Sequence, residues 1–382
     1  MAESVLLLGT YRTTLAAIQS LAGGGYRVVL GTGAYTQGTE RARGVSEIWR
    51  HPEIEAPGFD DALIGFLSER PDIRAVLPVT EEALVRTAPL RPRLPGHVVL
   101  ASPSAENVAL CQDKGRSLDA ATAAGLPTRP YAVVGREAFA ETCGELGVPL
   151  VIRPVVAPGR IHGRKAWIAR TGDELPAWPE GHPALLLQQF ACGPRHSLYF
   201  AAREGELLSL VDVKVLRTDR WDGTGLGVEG VSVAIGGERE AWTRALVRQL
   251  GYTGIGCAQF LVPDDGSAAC YLELNPRMGG NILSATSLGV EFPRFAVDLA
   301  LGRPLSAPSR YPVGVRYSWL YGDLAGMMHD PLPPLDRLRW LSRTARSVLR
   351  ADLDLVFERR DPGPAIALYS GKLRSLLSGG PQ

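Results

Sequence analysis

Lysine is scarce in this sequence: Lys114, Lys165, Lys214 and Lys372 are the only lysines among 41 basic residues. The excess of arginine, together with 43 glycines and 29 prolines, indicates a bias in genomic base composition. Each remaining lysine is therefore a candidate for a role that arginine cannot fill.

An excess of one charge, paired cysteines and long apolar runs are missing as well. The net charge is +1, so the overall charge gives no indication of a nucleic-acid or membrane partner. The five cysteines are scattered and form no CxxC pair, which predicts reduced thiols in a cytoplasmic protein and no zinc site. No apolar run is long enough to span a bilayer. Glu3 before the short apolar run Val5–Leu8 predicts a first strand rather than a signal peptide.

A length of 382 residues suggests two or three domains. Residues 1–105 alternate short apolar runs with helical segments, which predicts an N-terminal α/β domain with an open, mostly parallel sheet. The loops at the carboxyl ends of its strands are the expected ligand-binding edge, and one of them contains Thr80, Glu81 and Glu82. Capping of the following helix is the alternative role for these side chains. No G-x-G-x-x-G follows the first strand, which disfavours a dinucleotide-binding enzyme.

The rest of the chain divides into three regions with different patterns of predicted secondary structure. Residues 106–185 predict a small α+β unit with an exposed glycine-containing loop at 157–163. Residues 186–305 contain many strands and few helices, which is typical of an antiparallel sheet. Residues 306–382 form a C-terminal extension with an amphipathic helix at 335–350. We expect its leucines to pack on the domain and its arginines to face solvent; binding to an anionic membrane is the alternative.

One group of polar residues predicts a metal site. Side chains alternate along a strand, so Glu273 and Asn275 lie on one face. Gln259, on the preceding strand, can lie opposite them if the hairpin between the strands pairs them in register. A carboxylate and two amide oxygens suit Mg²⁺ that is shared with phosphates. Arg277 follows directly and can contact a transferring phosphoryl group.

Several segments, in this order along the chain, resemble the ATP-grasp superfamily. They are Asp113-Lys114, residues 150–154 with the glycine loop that follows, Gln188 to Gly193, Gly251 to Gly254, and Tyr-Leu-Glu-Leu-Asn-Pro-Arg-Met-Gly-Gly at 271–280. The resemblance covers residues 1–305. It implies an ATP-grasp fold of mixed α/β and α+β class, with an N-terminal parallel α/β domain, a small lid domain and a larger antiparallel-sheet domain.

The resemblance also implies roles in nucleotide and metal binding. Lys114 and Arg153 would contact the ATP phosphates, with Lys165 as a further cation on the lid loop. The other nucleotide contacts implied are the loop glycines Gly159 and Gly163, the hinge residues Gln188, Gln189 and Phe190, and His196 near the ribose. Gln259, Glu273 and Asn275 match the ligands of two Mg²⁺ ions.

The remaining implied roles concern the reaction and the substrates. Arg277 and Lys214 are the predicted catalytic cations, although a surface position is an equal alternative for Lys214. His196 departs from the acidic residue common in the family, so a packed position is an equal alternative for it. The predicted substrate contacts are Thr80, Glu81, Glu82, Asn281 and Ser284, with Glu81 or Glu82 as the group that binds an ammonium.

The implied activity is that of an ATP- and Mg²⁺-dependent ligase. It would activate a small-molecule carboxylate as an acyl phosphate for attack by an amine, giving an amide, ADP and phosphate. Two alternatives stay open: activation of bicarbonate, and a nucleotide-binding module without catalysis, which Arg153, Gln259 and His196 suggest as departures from the common pattern. A homodimer is a further expectation.

Overall fold

The computed structural model describes residues 3–34, 36–156 and 159–378. Five parallel strands form the N-terminal sheet in the order β3-β2-β1-β4-β5. Strands β1 to β5 are Ser4–Leu8, Arg27–Thr32, Val45–Arg50, Ile73–Pro78 and Val99–Leu100. Helices α1 to α5 are Arg12–Gly23, Phe59–Ser68, Glu81–Thr87, Ala105–Gln112 and Lys114–Ala123. The parallel sheet confirms the sequence prediction. Strand β3 was not predicted because it is a half-exposed edge strand without a continuous apolar run.

A four-stranded antiparallel sheet follows, in the order β6-β9-β7-β8. Strands β6 to β9 are Tyr131–Val134, Leu150–Pro154, Trp167–Ala169 and Leu185–Gln189, and helix α6 is Phe139–Leu146. Phe139 and Cys143 of α6 share an apolar core with the sheet. Strand β9 pairs with both β6 and β7, so the expected division between residues 185 and 186 falls inside a strand of this small sheet.

The largest sheet has seven strands in the order β14-β13-β10-β11-β12-β15-β16. Strands β10 to β14 are Arg195–Arg203, Glu206–Thr218, Gly227–Val233, Gly254–Leu261 and Cys270–Asn275. Helices α7 to α9 are Gly237–Gln249, Leu283–Thr286 and Phe292–Ala300. One face of the sheet packs on α9 and the N-terminal domain, while the other packs on α7 and α5.

The C-terminal segment is built into the large sheet. Strands β15 and β16 are Arg316–Ser318 and Leu353–Asp354, and helices α10 to α12 are Leu320–His329, Pro334–Arg350 and Gly363–Ser378. β15 pairs with β12, and β16 pairs with β15. Residues 306–382 are therefore not a separate appendage, because two of their strands complete a sheet whose other strands precede residue 306.

Helix α11 packs by a face other than the one predicted. Trp340, Thr344 and Ser347 are buried, and the Trp340 indole N–H donates to the buried Asp323 carboxylate at 2.6 Å. The leucines that were expected to pack are exposed, with Leu349 at 86%. One buried tryptophan that is satisfied by a hydrogen bond thus orients the helix, which a count of apolar residues could not reveal.

Two substitutions on α11 test this orientation. Trp340→Ala is expected to lower the free energy of unfolding by about 3–5 kcal/mol, because it opens a cavity and leaves the Asp323 bond unmade. Leu349→Ala, on the same helix, is the matched control and should change it by less than about 0.5 kcal/mol. Urea denaturation followed by circular dichroism measures both. If Leu349→Ala lowered the free energy of unfolding more than Trp340→Ala, the leucine face of α11 would be the packed face.

The described helices include none that is both long and apolar enough to cross a membrane.

Candidate functional site

The three predicted metal ligands meet at one edge of the large sheet. Gln259 on β13 pairs directly with Glu273 on β14, so the hairpin register expected from the sequence is present. Asn275 is two residues further along the strand, and its Nδ2 donates to Glu273 Oε1 at 3.0 Å. The three side chains share the sheet face because strand side chains alternate.

The charges of three cations act on the Glu273 carboxylate. Partial burial alone would raise the pKa of Glu273, but the hydrogen bond from Asn275 and the charges of Arg153, Lys114 and Arg195 outweigh burial. The pKa of Glu273 therefore lies below its ordinary value. This carboxylate stays ionised throughout the neutral range, as a metal ligand must.

Lys114 reaches this cluster from the start of α5. Its backbone N–H donates to the Val155 carbonyl at 3.0 Å, which ties the helix to the end of β7. Burial lowers the pKa of the Lys114 ammonium; the charge of Glu273 opposes this effect and that of Arg153 adds to it. Exposed Lys165 also lowers the pKa of Lys114, so the lid loop brings a second lysine near the same position.

Arg153 and Gln188 occupy adjacent strands of the small sheet and are both buried. Arg153 donates to Gln188 Oε1 at 2.8 Å, and burial lowers the pKa of its guanidinium. Arg153 Nε and Gln188 Nε2 are buried without a hydrogen-bond partner. Unpaired buried donors are costly, so these two N–H groups call for an acceptor from a ligand.

Arg195 is a site residue that the sequence reasoning missed. It stands two residues before Ser197, which pairs with Gln259, and so it shares the sheet face of the predicted metal ligands. Arg195 donates to the Gly225 carbonyl at 2.9 Å, while its Nε is buried without a partner. Its charge acts on Glu273. The alternation of strand side chains, applied from Gln259, was the signal that could have found it.

His196 and Lys214 lie on the opposite face of the sheet. His196 pairs with Phe260 on one side and with Lys214 on the other, whereas Gln259 pairs with Ser197. Residues one position apart point to opposite faces, so neither side chain joins the Glu273 cluster.

The contacts of these two residues agree with that position. His196 Nδ1 is 2.9 Å from an oxygen of the fully buried Asp212, which also accepts from Arg239 of α7. Lys214 Nζ contacts Asp264 in the β13–β14 hairpin. The structure therefore corrects two expectations: His196 is a packed histidine beneath α7, and Lys214 does not face the proposed phosphate region.

Arg277 links the large sheet to the N-terminal domain. Its guanidinium donates to Glu81 Oε2 at 3.0 Å and to the Met278 carbonyl at 3.1 Å. Thr80 is the N-cap of α3, where its hydroxyl accepts from the Ala83 N–H, and Glu82 is exposed on the first turn. Of the three predicted substrate residues in this loop, Glu81 is the one joined to the predicted catalytic arginine.

Asn281 and Ser284 act mainly within the protein. Asn281 accepts from Arg12 at 2.9 Å and donates to the Tyr317 hydroxyl at 2.6 Å. Ser284 donates to the Asn281 carbonyl at 2.7 Å. Both side chains are buried, so they position the loop after the signature segment and have little capacity left for a substrate.

No family model matches the chain, and no curated protein matches it. Solved structures do match it. The biotin carboxylase domain of 2-oxoglutarate carboxylase from Hydrogenobacter thermophilus, solved with MgADP, ADP and bicarbonate, is similar at 17% identity and a TM-score of 0.66, over 83% of this chain and 73% of that one. N5-carboxyaminoimidazole synthetase from Staphylococcus aureus is similar at 11% identity and a TM-score of 0.63, over 83% and 82%. Both neighbours belong to the ATP-grasp superfamily. The chain has the ATP-grasp fold.

In the lid of this ATP-grasp fold, residues 157 and 158 of the expected loop lie outside the described residues. Gly159 lies against Pro154, where a Cβ would come within 2.5 Å, and Gly163 has a φ of +78°. Both positions therefore require glycine. Arg164 of this loop is paired at 3.3 Å with Asp222 of the large domain.

The hinge differs from the expectation in one respect. The backbone N–H groups of Gln189 and Phe190 donate to the carbonyls of Pro130 and Pro149. The Gln189 side chain donates to the Leu146 carbonyl at 3.0 Å. These donors are therefore engaged within the lid and are not free to bind a nucleotide; the Gln188 side chain, with its unpaired Nε2, remains available.

The oxygens of Gln259, Glu273 and Asn275 suit a magnesium ion only if phosphate oxygens complete the coordination shell of the ion. Within the described ranges no three His, Cys, Asp or Glu side chains cluster as a metal site. Glu273 is the single charged group among the three predicted ligands. Mg²⁺ typically keeps one or two protein carboxylates and takes its other oxygens from nucleotide and water, so this group of residues suits Mg²⁺ bound together with a nucleotide.

Proposed function

We propose that this protein is an ATP- and Mg²⁺-dependent, ADP-forming ligase that joins a carboxylate to an amine. The main support is the convergence of Lys114, Arg153 and Arg195 on Glu273, beside donors that have no partner in the protein. Such a cluster favours an anion with several oxygens, and the polyphosphate of a nucleotide has that character. The solved neighbours include complexes with ADP and MgADP, which supports the choice of nucleotide.

The proposed chemistry begins with phosphoryl transfer. A carboxylate oxygen attacks the γ-phosphorus of ATP while the bond from that phosphorus to the β-phosphate oxygen breaks and ADP leaves. Lys114, Arg153 and Arg195 hold the phosphates and offset the charge that develops on them. Gln259, Glu273 and Asn275 would hold Mg²⁺, which would supply further charge stabilisation. Arg277, whose guanidinium donates to Glu81, is the proposed contact to the transferred group.

The second step consumes the acyl phosphate. The amine nitrogen attacks the acyl carbon, a C–N bond forms, and phosphate leaves with the electron pair of the C–O bond. The amine loses its proton to phosphate or solvent. Acyl phosphates hydrolyse readily, so the lid loop that contains Gly159 and Gly163 is expected to exclude water from this step.

Bicarbonate activation is the second candidate, because one neighbour is a carboxylase domain solved with bicarbonate and others are carboxylases or carboxyaminoimidazole synthetases. The two reactions share the transfer of the γ-phosphoryl group to an acid and differ in which acid is activated and in the product that forms. ADP release measured with Mg²⁺ and ATP against panels of acid–amine pairs, and separately against bicarbonate, distinguishes them. Mass spectrometry should find an amide product for one acid–amine pair. Turnover that depends on bicarbonate and on no acid–amine pair would reject the ligase proposal.

The depressed pKa of Lys114 predicts a specific pH dependence. Lysine is cationic below its pKa and neutral above it, so the KM for MgATP should rise as the pH is raised through this lowered pKa. Lys114→Arg keeps the charge at every accessible pH and should move the rise beyond the measured range. KM measured between about pH 7 and about pH 10 tests this, since an ordinary lysine titrates near 10.4. Identical profiles for the two proteins would exclude Lys114 from phosphate binding.

A further inference from the structure

A cavity of about 170 Å³ lies between the carboxyl edge of the N-terminal sheet and the C-terminal segment. Its walls come from the loop after β1, from the start of α10 and from α12. The volume is many times what a single water molecule requires and smaller than a site for a drug-sized ligand, which spans roughly 300–1,000 Å³. It suits a small organic molecule.

One wall of the cavity is a cluster of buried donors. Arg12 is 5% exposed and donates to the Gly280 carbonyl at 2.6 Å, to Asn281 Oδ1 at 2.9 Å and to the Tyr11 hydroxyl. Its guanidinium lies 3.6 Å from the centre of the Trp319 ring. Across the described residues no carboxylate forms an ion pair with Arg12, although a buried charge ordinarily has a charged partner.

The indole of Trp319 provides an independent observation. Trp319 is 7% exposed, and its Nε1–H is buried without a hydrogen-bond partner. An indole N–H can only donate, so the cavity wall combines an unpaired donor with an arginine that forms no ion pair within the described residues, although the charge of Asp219 acts on it. Both features call for an anionic acceptor.

Apart from Gln37 and Thr39, the rest of the cavity lining is apolar. Tyr321, Val356 and Leu368 line it, and Val356 is buried. An occupant must therefore have a small anionic head for the Arg12 end and an apolar body for these side chains. A hydrophilic anion such as inorganic phosphate satisfies the first requirement alone.

We propose that this cavity binds the carboxylic acid substrate and selects an acid with an apolar body, aromatic or branched. The carboxylate accepts from Arg12 and from the Trp319 indole N–H, and the body packs on Tyr321, Val356 and Leu368. This assignment rests on the proposed ligase function for the meaning of the bound acid.

The cavity is adjacent to the proposed phosphoryl-transfer site. Arg12 bonds to Gly280 and Asn281, in the loop that begins directly after Arg277. The charges of both Arg12 and Arg277 act on the Tyr11 hydroxyl. The Arg12 end of the cavity, which would receive the carboxylate, is therefore the end nearer to Arg277.

Equilibrium binding to the full chain tests the assignment without requiring turnover. Isothermal titration calorimetry uses 3-phenylpropionate and 4-methylpentanoate as probes, 3-phenylpropanamide as the neutral analogue, and acetate and inorganic phosphate as anions without an apolar body. Both apolar acids should bind, and the amide, acetate and phosphate should each bind at least about tenfold more weakly, because a hydrogen bond to a charged group is worth about tenfold or more.

Two variants and one control localise the binding. Trp319→Phe removes a donor that bonds to nothing in the protein, so it should fold normally and weaken 3-phenylpropionate about tenfold. Leu368→Trp should fill the apolar end and abolish binding. Ile366→Trp, on the same helix but 63% exposed, adds the same ring outside the cavity and should leave binding within about twofold.

Binding of MgADP by the same variants separates the two proposals. Unchanged MgADP affinity with lost acid binding supports the cavity assignment. Acid binding that persists in both Trp319→Phe and Leu368→Trp overturns it, as does tighter binding of phosphate or of the neutral amide. Failure of the native chain to bind MgADP or to release ADP would reject the proposed function, and the acid titrations would still decide the cavity.

Discussion

Replacing Glu273 by glutamine is expected to have opposite effects on magnesium-dependent turnover and on magnesium-free nucleotide binding. The substitution removes the single charged residue among the three proposed metal ligands, so kcat/KM for MgATP should fall by roughly 10²- to 10³-fold, the range seen when one transition-state contact is lost. It also removes a negative charge from the middle of Lys114, Arg153 and Arg195. ADP without Mg²⁺ should therefore bind about fivefold more tightly, since the cations lose their internal counter-charge.

A carboxylate on the same sheet provides the control. Glu229 of β12 pairs with Arg217 at 2.9 Å, and Glu229→Gln should leave both quantities within about twofold. Calorimetric titration with ADP, with and without Mg²⁺, measures the binding. Weaker ADP binding by Glu273→Gln in the absence of Mg²⁺ would contradict the proposed arrangement of charges, and unchanged turnover would favour a module without catalysis.

The second large expected effect is on the Kd for MgADP, and it distinguishes Arg195 from Lys214, two cations on neighbouring strands. Arg195→Met keeps an unbranched apolar side chain but removes the charge, and we expect the Kd for MgADP to rise at least about tenfold because a charge-assisted contact to phosphate is lost. Lys214→Met, on the opposite face, should change this Kd by less than about twofold. Arg195→Lys should recover part of the affinity because it restores the charge without the planar donor array.

Thermal unfolding monitors the integrity of each of these variants. Arg195 also donates to the Gly225 carbonyl, so Arg195→Met should cost about 1 kcal/mol of stability, too little to unfold the domain. A large effect of Lys214→Met together with none from Arg195→Met would reverse the assignment of the two sheet faces.

The fold could be predicted from the sequence wherever the pattern was local. Alternating strands and helices in the first hundred residues predicted the parallel sheet, and the run of strands after residue 185 predicted the antiparallel sheet. The edge strand Val45–Arg50 was missed because half of its side chains face solvent. The C-terminal strands were missed because two- and three-residue strands such as Leu353–Asp354 form only when a neighbouring edge is available.

The candidate site shows the same limit. Gln259, Glu273 and Asn275 could be placed together because two adjacent strands and a short hairpin determine their positions. The resemblance predicts a nucleotide contact near His196. Neighbouring residues of a strand point to opposite faces, however, so the side chain on the face of Gln259 is that of Arg195. Arg12 could not be found from the sequence, because its partners Gly280 and Asn281 are more than 260 residues away in the chain.

The insertion of β15 between β12 and β16 has a consequence for divergence and engineering. Gln259, Glu273 and Asn275 stand on strands at one end of the seven-stranded sheet, while Trp319, Tyr321, Val356 and Leu368 are carried by the segment that begins at the other end. Segments exchanged between homologues at the loop before Arg316 would therefore alter which acid fits and leave the nucleotide half untouched. Any such chimera must retain a strand at Arg316–Ser318, because that strand anchors the exchanged segment to the rest of the molecule.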